Sequence, residues 1–583
     1  MTFFGTSIFS LSFAALILRL NATSFSTNFV DLAPGVRLAG ERYTAPSSSN
    51  FGYAYYGIRY GTAKRFEHSV ENTDFSYLSD TYRRPQGFIC PQRGYISFGS
   101  TIADLRPFNR TDAMNEDCLY LDIYAPESSD NKSLPVMVYY FGGSLQIGDK
   151  DIYNGSSLAL HTDTILVVVN YRLSVFGFLS SGDEALPGNY GLGDCKTALK
   201  WVAKNIARFD GDPQRITVFG QSAGAILVSA LYMDPDARKD IKAGIAISGS
   251  ALLPQAWTGD PLGNLQQLAQ KTGCGTNTTA ADRIVQCLKG VPMFDLLAAA
   301  KGLDNQFTEA IPYAFVIDHR HFNSTPDEQI RQQVWPGATL LTGYAREDSS
   351  ILLSNNNPQF FDPAFPLTWT VLRDTLAQAY LPSNEFCSQP KYALADQVMQ
   401  HYNISPTDDR NTMLWKYYHL TTDGNLGYPA LKETWLYVDK QASDGRPNQV
   451  YRNAYDQKQA NLGAFHAAEL GYIFGDAVNR RIFNLTLNPT VENSIQQMLW
   501  QVAYNGRMDA PFNSFDWRYM ELGGEGLWAE GSADLRAVYD FWDAVARTPC
   551  NGTLPLSKRV PKAEGLIDLL SALPLISSLF NNP

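Results

Sequence analysis

Charge is scarce along these 583 residues: Asp, Glu, Lys and Arg together make up 18%, while 45% are hydrophobic and 13% aromatic. That balance excludes a disordered acidic protein and supplies material for a large core. Lys and Arg are the scarcer sign, 47 against 58 Asp and Glu, for a formal net charge of −11, and no basic stripe runs through the chain. A nucleic-acid partner needs clustered cations, so none is expected, and the acidic surface is read as a solubility feature. Long apolar runs are missing as well. The stretch 8–18 is too short to span a bilayer and reads as the core of a signal peptide (1–22, cut near Ala22), although it has neither a basic start nor a clear small-residue cleavage site. The apolar stretch 565–580 is broken by Asp568 and Pro574, which suits a terminal helix better than a lipid-anchor signal. With no repeat, coiled coil or low-complexity tract, one extended domain is expected over 23–564, followed by an apolar tail, 565–583.

Cysteine is sparse too. The seven, Cys90, Cys118, Cys195, Cys274, Cys287, Cys387 and Cys550, leave one over if the others pair, and spacing alone fixes no connectivity. Nine Asn-x-Ser/Thr sequons, at Asn21, Asn109, Asn131, Asn154, Asn277, Asn323, Asn403, Asn484 and Asn551, agree with passage through a glycosylating, oxidising compartment. Secretion is the expectation.

Short apolar runs bounded by turn residues, at 135–140, 165–170, 216–219 and 244–247, predict buried strands, and 338–343 predicts another that ends just before acidic residues. Between the second and third runs, residues 195–206 repeat apolar positions at helical spacing. Strand, helix, strand implies an α/β fold around a large, mostly parallel sheet, with its ligand crevice at the carboxyl ends of the strands.

The sharpest local signal is Gly220-Gln221-Ser222-Ala223-Gly224, between an apolar strand and an apolar helical segment. Glycines two residues either side of a serine let strand and helix approach while the serine sits exposed on a strained turn, a nucleophile elbow. A serine hydroxyl needs a base, and the base a third group to hold its tautomer. In the α/β-hydrolase order of nucleophile, acid, histidine, His68 and His161 fall too early. His319 and His321 flank an arginine before any candidate acid, and His401 and His419 lie in Tyr-rich stretches, so surface or packing roles suit these four. His466 follows Gly463 and precedes a predicted helix, and it is the candidate base. Asp348, in Gly343-Tyr344-Ala345-Arg346-Glu347-Asp348, is the candidate acid; pattern alone does not separate it from Glu347. Phe141-Gly142-Gly143-Ser144, after a predicted strand, offers backbone amides for an oxyanion, completed by the amide of Ala223.

These motifs, with Tyr56-Gly57-Ile58-Arg59-Tyr60, Arg65-Phe66, Glu116-Asp117-Cys118-Leu119-Tyr120-Leu121-Asp122, Asn170-Tyr171-Arg172-Leu173 and Pro187-Gly188-Asn189-Tyr190-Gly191, give the chain a resemblance to the type-B carboxylesterase and cholinesterase family of α/β-hydrolases over nearly its whole mature length. The resemblance implies a triad of Ser222, Asp348 and His466, and an oxyanion hole from Gly143, Ser144 and Ala223. It also implies disulfides Cys90–Cys118, Cys274–Cys287 and Cys387–Cys550 with Cys195 left as a buried thiol, and no metal or organic cofactor.

Several residues depart from the family pattern. Asp348 stands where glutamate is usual, Ser144 replaces the third glycine of the oxyanion loop, and Asp210 interrupts the first signature. Cholinesterases hold quaternary ammonium with a tryptophan and a glutamate; here the counted positions carry Phe108 and Gln221, which weakens a choline reading. Gln221 also resembles juvenile-hormone esterases, from which Asp194-Cys195 and Glu469 depart. The expectation is a secreted serine carboxylesterase acting on small, uncharged, fairly apolar esters, without a stable membrane span and with its oligomeric state open. Lipase, cholinesterase-like and juvenile-hormone-esterase-like hydrolases are the alternatives within the family. A cholinesterase-like adhesion protein is the alternative outside catalysis, in a group that has commonly lost the serine retained here.

Overall fold

Runs of Val, Ile and Leu can stay buried along their whole length only where both faces of a sheet are covered. The computed structural model shows this for Leu134–Tyr140, Ile165–Val169, Ala243–Ile247 and, from Ile216 onward, Gly211–Gln221. It describes residues 28–548 apart from 45–49, 76–87, 93–112, 128–132, 301–311, 333–338, 382–390, 442–448, 454–462, 476–485, 510–516, 518, 524–527 and 532. The expected signal segment, the apolar tail, Phe108, Cys387 and Cys550 lie outside the described residues.

Eleven strands form the main sheet. In chain order they are β1 (Glu41–Thr44), β2 (Phe51–Arg59), β3 (Tyr120–Pro126), β4 (Leu134–Tyr140), β5 (Ile165–Val169), β6 (Gly211–Gln221), β7 (Ala243–Ile247), β8 (Thr339–Ala345), β9 (Gln449–Asn453), β10 (Met520–Leu522) and β11 (Trp528–Glu530). They lie side by side as β11-β10-β9-β8-β7-β6-β4-β5-β3-β2-β1. From β5 through β10 the neighbours are parallel, and the outer pairs are antiparallel. Strand order reverses around β4, which sits between β5 and β6, and such a switch point opens a crevice at the carboxyl ends of the strands. The predicted strands are all present, with β8 running two residues past its expected end. Helix α1 (Tyr190–Asn205) begins five residues before the periodic segment predicted it, because Tyr190, Gly191, Leu192 and Asp194 are buried in its first turns.

Family-like motifs far apart in the chain meet through buried polar contacts. Arg172 forks onto Asp194, Nε to Oδ2 and Nη2 to Oδ1, both at 2.7 Å, and neither residue is more than 4% exposed. Lys150 bonds Asp122 at 2.9 Å, and Asp122 in turn accepts the Gly57 amide at 2.6 Å. Disulfides Cys90–Cys118 and Cys274–Cys287 are present, and Cys195 is a free thiol inside α1 whose burial pushes its pKa well above the usual value. A second apolar core, including Leu372, Leu394, Val398, Tyr417 and Trp542, gathers helices beside the sheet.

Behind the sheet's carboxyl edge, helix α2 (Ala223–Met233) meets α3 (Tyr428–Gln441) through a buried acid. Ser229 Oγ donates to Glu433 Oε1 at 2.6 Å and accepts the Ala251 amide at 2.9 Å. Burial raises the Glu433 pKa to about 7, against hydrogen bonds from Ser229 and Ser250 that act the other way.

Two stability predictions follow from these buried charges. Asp194→Asn leaves the Arg172 guanidinium without its counter-charge and is expected to destabilise the fold by about 3–5 kcal/mol, read as a lowered denaturation midpoint. The Glu433 carboxyl has a folded pKa above its unfolded one, so its contribution is complete below pH 4.5 and is lost as pH rises through about 7. Glu433→Gln is therefore expected to gain on wild type by up to about 3 kcal/mol between pH 4.5 and 8. Unfolding curves of both proteins at the two pH values that ran parallel would refute this.

Candidate active site

Because β4 and β6 are neighbours in register, Tyr140 opposite Gly220, the loop after one strand and the turn after the other share an edge. Ser222 is that turn. Its backbone takes φ 57° and ψ −124°, strained for a residue with a side chain, and its amide donates to Ile247 O at 2.8 Å. The residues on either side, Gln221 and Ala223, are buried, whereas Ser222 is half-buried. Gly224 is dictated by contact: a Cβ there would lie 1.9 Å from the Tyr140 carbonyl oxygen. The sequence expectation of a tight elbow between strand and helix corresponds to this geometry.

The glycine loop after β4 is equally constrained. Gly143 has φ +119°, and a Cβ on it would stand 2.2 Å from Ile147 O. Ser144 and Leu145 follow with φ 56° and 59°. The Gly143 carbonyl accepts the amides of Gln146 and Ile147, turning the loop back on itself, while the Gly143 and Ser144 amides have no backbone acceptor among the described residues. Gly143 and Ser144 are half-buried. This is a set of donors available to an anion at the mouth of the elbow.

Asp348 lies three residues beyond β8, and His466 follows β9. The structure brings them together: His466 Nδ1 and Asp348 Oδ1 are 2.6 Å apart, and the His466 amide donates to Asp348 O at 3.1 Å. The other oxygen, Oδ2, accepts from Ser248 Oγ at 2.6 Å and the Ala345 amide at 2.8 Å. The buried Asp348 carboxyl group thus has three hydrogen-bond partners. Glu347 does a different job. Its Oε2 accepts the Ala464 amide at 2.8 Å, its Oε1 accepts from Arg346 Nε at 2.6 Å, and His419 Nε2 lies 3.7 Å away. Of the two adjacent acids, Asp348 is the one bonded to the imidazole.

Two contacts and one buried acid carry no local signal in the sequence. Ser248, just past β7, has φ 55° and points its hydroxyl at Asp348; register was the available signal, since Ile247 pairs with both Gln221 and Gly343. Gln221 Nε2 lies 3.2 Å from His466 Nε2. Glu469, opening helix α4 (Glu469–Phe474), is fully buried with no hydrogen-bond partner for either oxygen among the described residues. Burial, with a smaller push from the Asp348 charge, raises its pKa to about 8, so it is mostly protonated at neutral pH. The other histidines lie in other surroundings. His321 Nδ1 lies 3.4 Å from Asp234 Oδ2, and burial, with a smaller push from the Arg320 charge, lowers the His68 pKa to about 4. His401 stacks on Phe541, its ring centroid 3.6 Å from the phenyl, and the exposed His161 has Nδ1 3.0 Å from Ser157 O.

An imidazole held by a carboxylate at one nitrogen, beside a serine on a strained elbow and near free amides, can move a proton off a hydroxyl and stabilise the anion that the oxygen creates. No group of three or more His, Cys, Asp or Glu among the described residues has the geometry to hold a metal ion.

Comparison with known proteins identifies the family. Human carboxylesterase 5A is 32% identical over 382 residues, covering 62% of this chain and 61% of its own length. The dog protein of that name is 40% identical over 374 residues, and rat carboxylesterase 1C is 28% identical over 411 residues, covering 69% of this chain and 71% of its own. This chain thus spans about three-fifths of the human relative. The family model described as the carboxylesterase family matches residues 26–526, a span that contains the elbow, the glycine loop, Asp348 and His466, and the chain belongs to that family.

Proposed function

We propose that the protein is a secreted serine carboxylesterase that hydrolyses small-molecule carboxylic esters through an acyl-enzyme on Ser222. The observation that carries this reading is the 2.6 Å Asp348–His466 bond set against the residue next to Ser222 at the same sheet edge. His466 Nε2 takes the Ser222 hydroxyl proton as Oγ attacks the ester carbonyl carbon. The carbonyl oxygen becomes an oxyanion facing the Gly143, Ser144 and Ala223 amides. Collapse expels the alkoxide, which takes the proton back from Nε2–H and leaves as alcohol. A water then gives its proton to Nε2 and its oxygen to the acyl carbon; Ser222 recovers the proton, and the acid departs. Throughout, Asp348 keeps the Nδ1 proton in place and offsets the imidazolium charge. The relatives' names support the substrate class, and the retained serine favours catalysis over an adhesion role.

Secretion rests on sequence features: the apolar start and the sequons, of which Asn154, Asn277, Asn323 and Asn403 are all exposed. Among the described residues no helix is long and apolar enough to cross a membrane.

The direct test is hydrolysis of p-nitrophenyl esters of rising chain length, with acetylthiocholine alongside. Ser222→Ala is expected to lose at least about 10⁴-fold in kcat, and Asp348→Asn roughly 10³–10⁴-fold, whereas Glu347→Gln keeps activity within about tenfold. A folded wild type no more active than Ser222→Ala on every ester would overturn the hydrolase reading. A larger loss from Glu347→Gln than from Asp348→Asn would reverse the assignment of the acid. Ser144, a non-glycine residue at φ 56° in the donor loop, is proposed to limit the bulk of the acyl group. Ser144→Gly is expected to shift preference toward longer or branched acyl chains without lowering thermal stability, and an unchanged chain-length profile would remove that role.

A further inference from the structure

Among the described residues, the hydrogen-bond partner of the His466 base nitrogen is not Ser222 but its neighbour: the Gln221 carboxamide nitrogen stands 3.2 Å from His466 Nε2. The other end of that carboxamide faces the glycine loop, for a Cβ on Gly142 would lie 3.0 Å from Gln221 Oε1. Gln221 is 2% exposed and its backbone is fixed as the last residue of β6, paired with Ile247, so the side chain has little freedom beyond rotation of its amide. A carboxamide N–H can only donate. Its partner must then be a bare ring nitrogen, which matches an imidazole that carries its single proton on Nδ1, toward Asp348.

Resting on the esterase reading, we propose that Gln221 is a positioning residue that caps the base nitrogen of His466 in the free enzyme and yields that nitrogen to Ser222 when substrate docks. A donor on the Nε2 lone pair favours the neutral imidazole, the form able to accept the serine proton. The cap therefore holds the base ready toward lower pH and keeps the histidine ring in the plane where it meets Asp348. Once Nε2 bears a proton the carboxamide N–H has lost its acceptor, so the cap is present only on the neutral ring.

Other titratable and charged groups lie around His466. Asp348, Glu347 and Arg346 reach it or its loop from the turn after β8, His419 from the helix Arg410–Thr422, and Glu469 from its own segment. All are unchanged in a Gln221 variant, so a difference in pH profile isolates the cap.

The experiment is the pH dependence of kcat/KM for a p-nitrophenyl ester, measured with full-length wild type, Gln221→Leu and Gln221→Glu, each checked for cooperative thermal unfolding. Loss of the donor in Gln221→Leu is expected to move the acidic limb up by about half a pH unit, and the carboxylate of Gln221→Glu, which favours the imidazolium, by about one unit or more. If Gln221→Leu does not fold, Gln221→Met takes its place. A limb that moves down in the uncharged variant would mean that the amide oxygen faces Nε2–H and stabilises the imidazolium, which overturns the cap. A limb that stays put in both variants while the rate falls would reduce Gln221 to a packing residue. Either result leaves the esterase reading standing, since that depends on the wild-type rate exceeding that of Ser222→Ala. Absence of serine-dependent turnover would remove both.

Discussion

The contact between Gly224 and the Tyr140 carbonyl is the constraint on which the site depends. It exists because β4 and β6 are adjacent across the reversal of strand order, so the chain leaving one must pass close to the helix leaving the other. Any side chain at 224 would separate them. Held that close, the elbow carries Ser222 at φ 57° and sets it against the glycine loop, where a Cβ on Gly142 would lie 2.9 Å from Ser222 Cβ. The proposed nucleophile and the loop proposed to bind the oxyanion are thus joined at one sheet edge before any histidine is brought near, which is the kind of preorganisation that electrostatic stabilisation requires.

The second pattern is the division of labour among nearby carboxylates. Three acids crowd the histidine loop, and each has different surroundings. Asp348 is bonded by Ser248, Ala345 and His466. Glu347 is occupied by Arg346 and the Ala464 amide, and so anchors the loop that carries His466. Glu469 has no such partners among the described residues, and burial keeps it mostly protonated at neutral pH. Among the described residues, the imidazole is therefore bonded by one of the three acids, Asp348, at Nδ1.

What could be read from the chain divides along the range of the forces involved. The elbow was legible because its requirements are local: glycines at fixed offsets between a strand and a helix. The parallel strands were legible from apolar runs, and the ends of β8 and α1 were not, because burial in tertiary context extended both beyond the periodic signal. Asp348 and Glu347 were inseparable by pattern, since neighbouring loop residues have the same composition and differ only in which long-range partner each meets. Ser248 and Gln221 carry no motif pointing to His466; their roles come from register across β6, β7 and β8. The buried pair of Ser229 and Glu433 is still further from sequence logic, joining two helices 204 positions apart.

The aspartate at 348 shows how such long-range geometry compensates for a shorter side chain. A glutamate would reach the imidazole by its extra methylene; an aspartate requires the two loops to come closer. Two backbone bonds draw them in, from the His466 amide to Asp348 O at 3.1 Å and from the Glu347 amide to Ala464 O at 3.1 Å, with the Glu347 side chain closing the same loop at Ala464. This short ladder between the turn after β8 and the loop after β9 places the Asp348 carboxylate 2.6 Å from Nδ1 while Ser248 fixes its other oxygen. The lost reach is recovered by main-chain pairing, which is less mobile than a longer side chain and leaves fewer rotamers to be ordered when the imidazole takes up a proton. The departure from the family's usual acid is therefore matched by the loop around it, and residue 347 supplies that match.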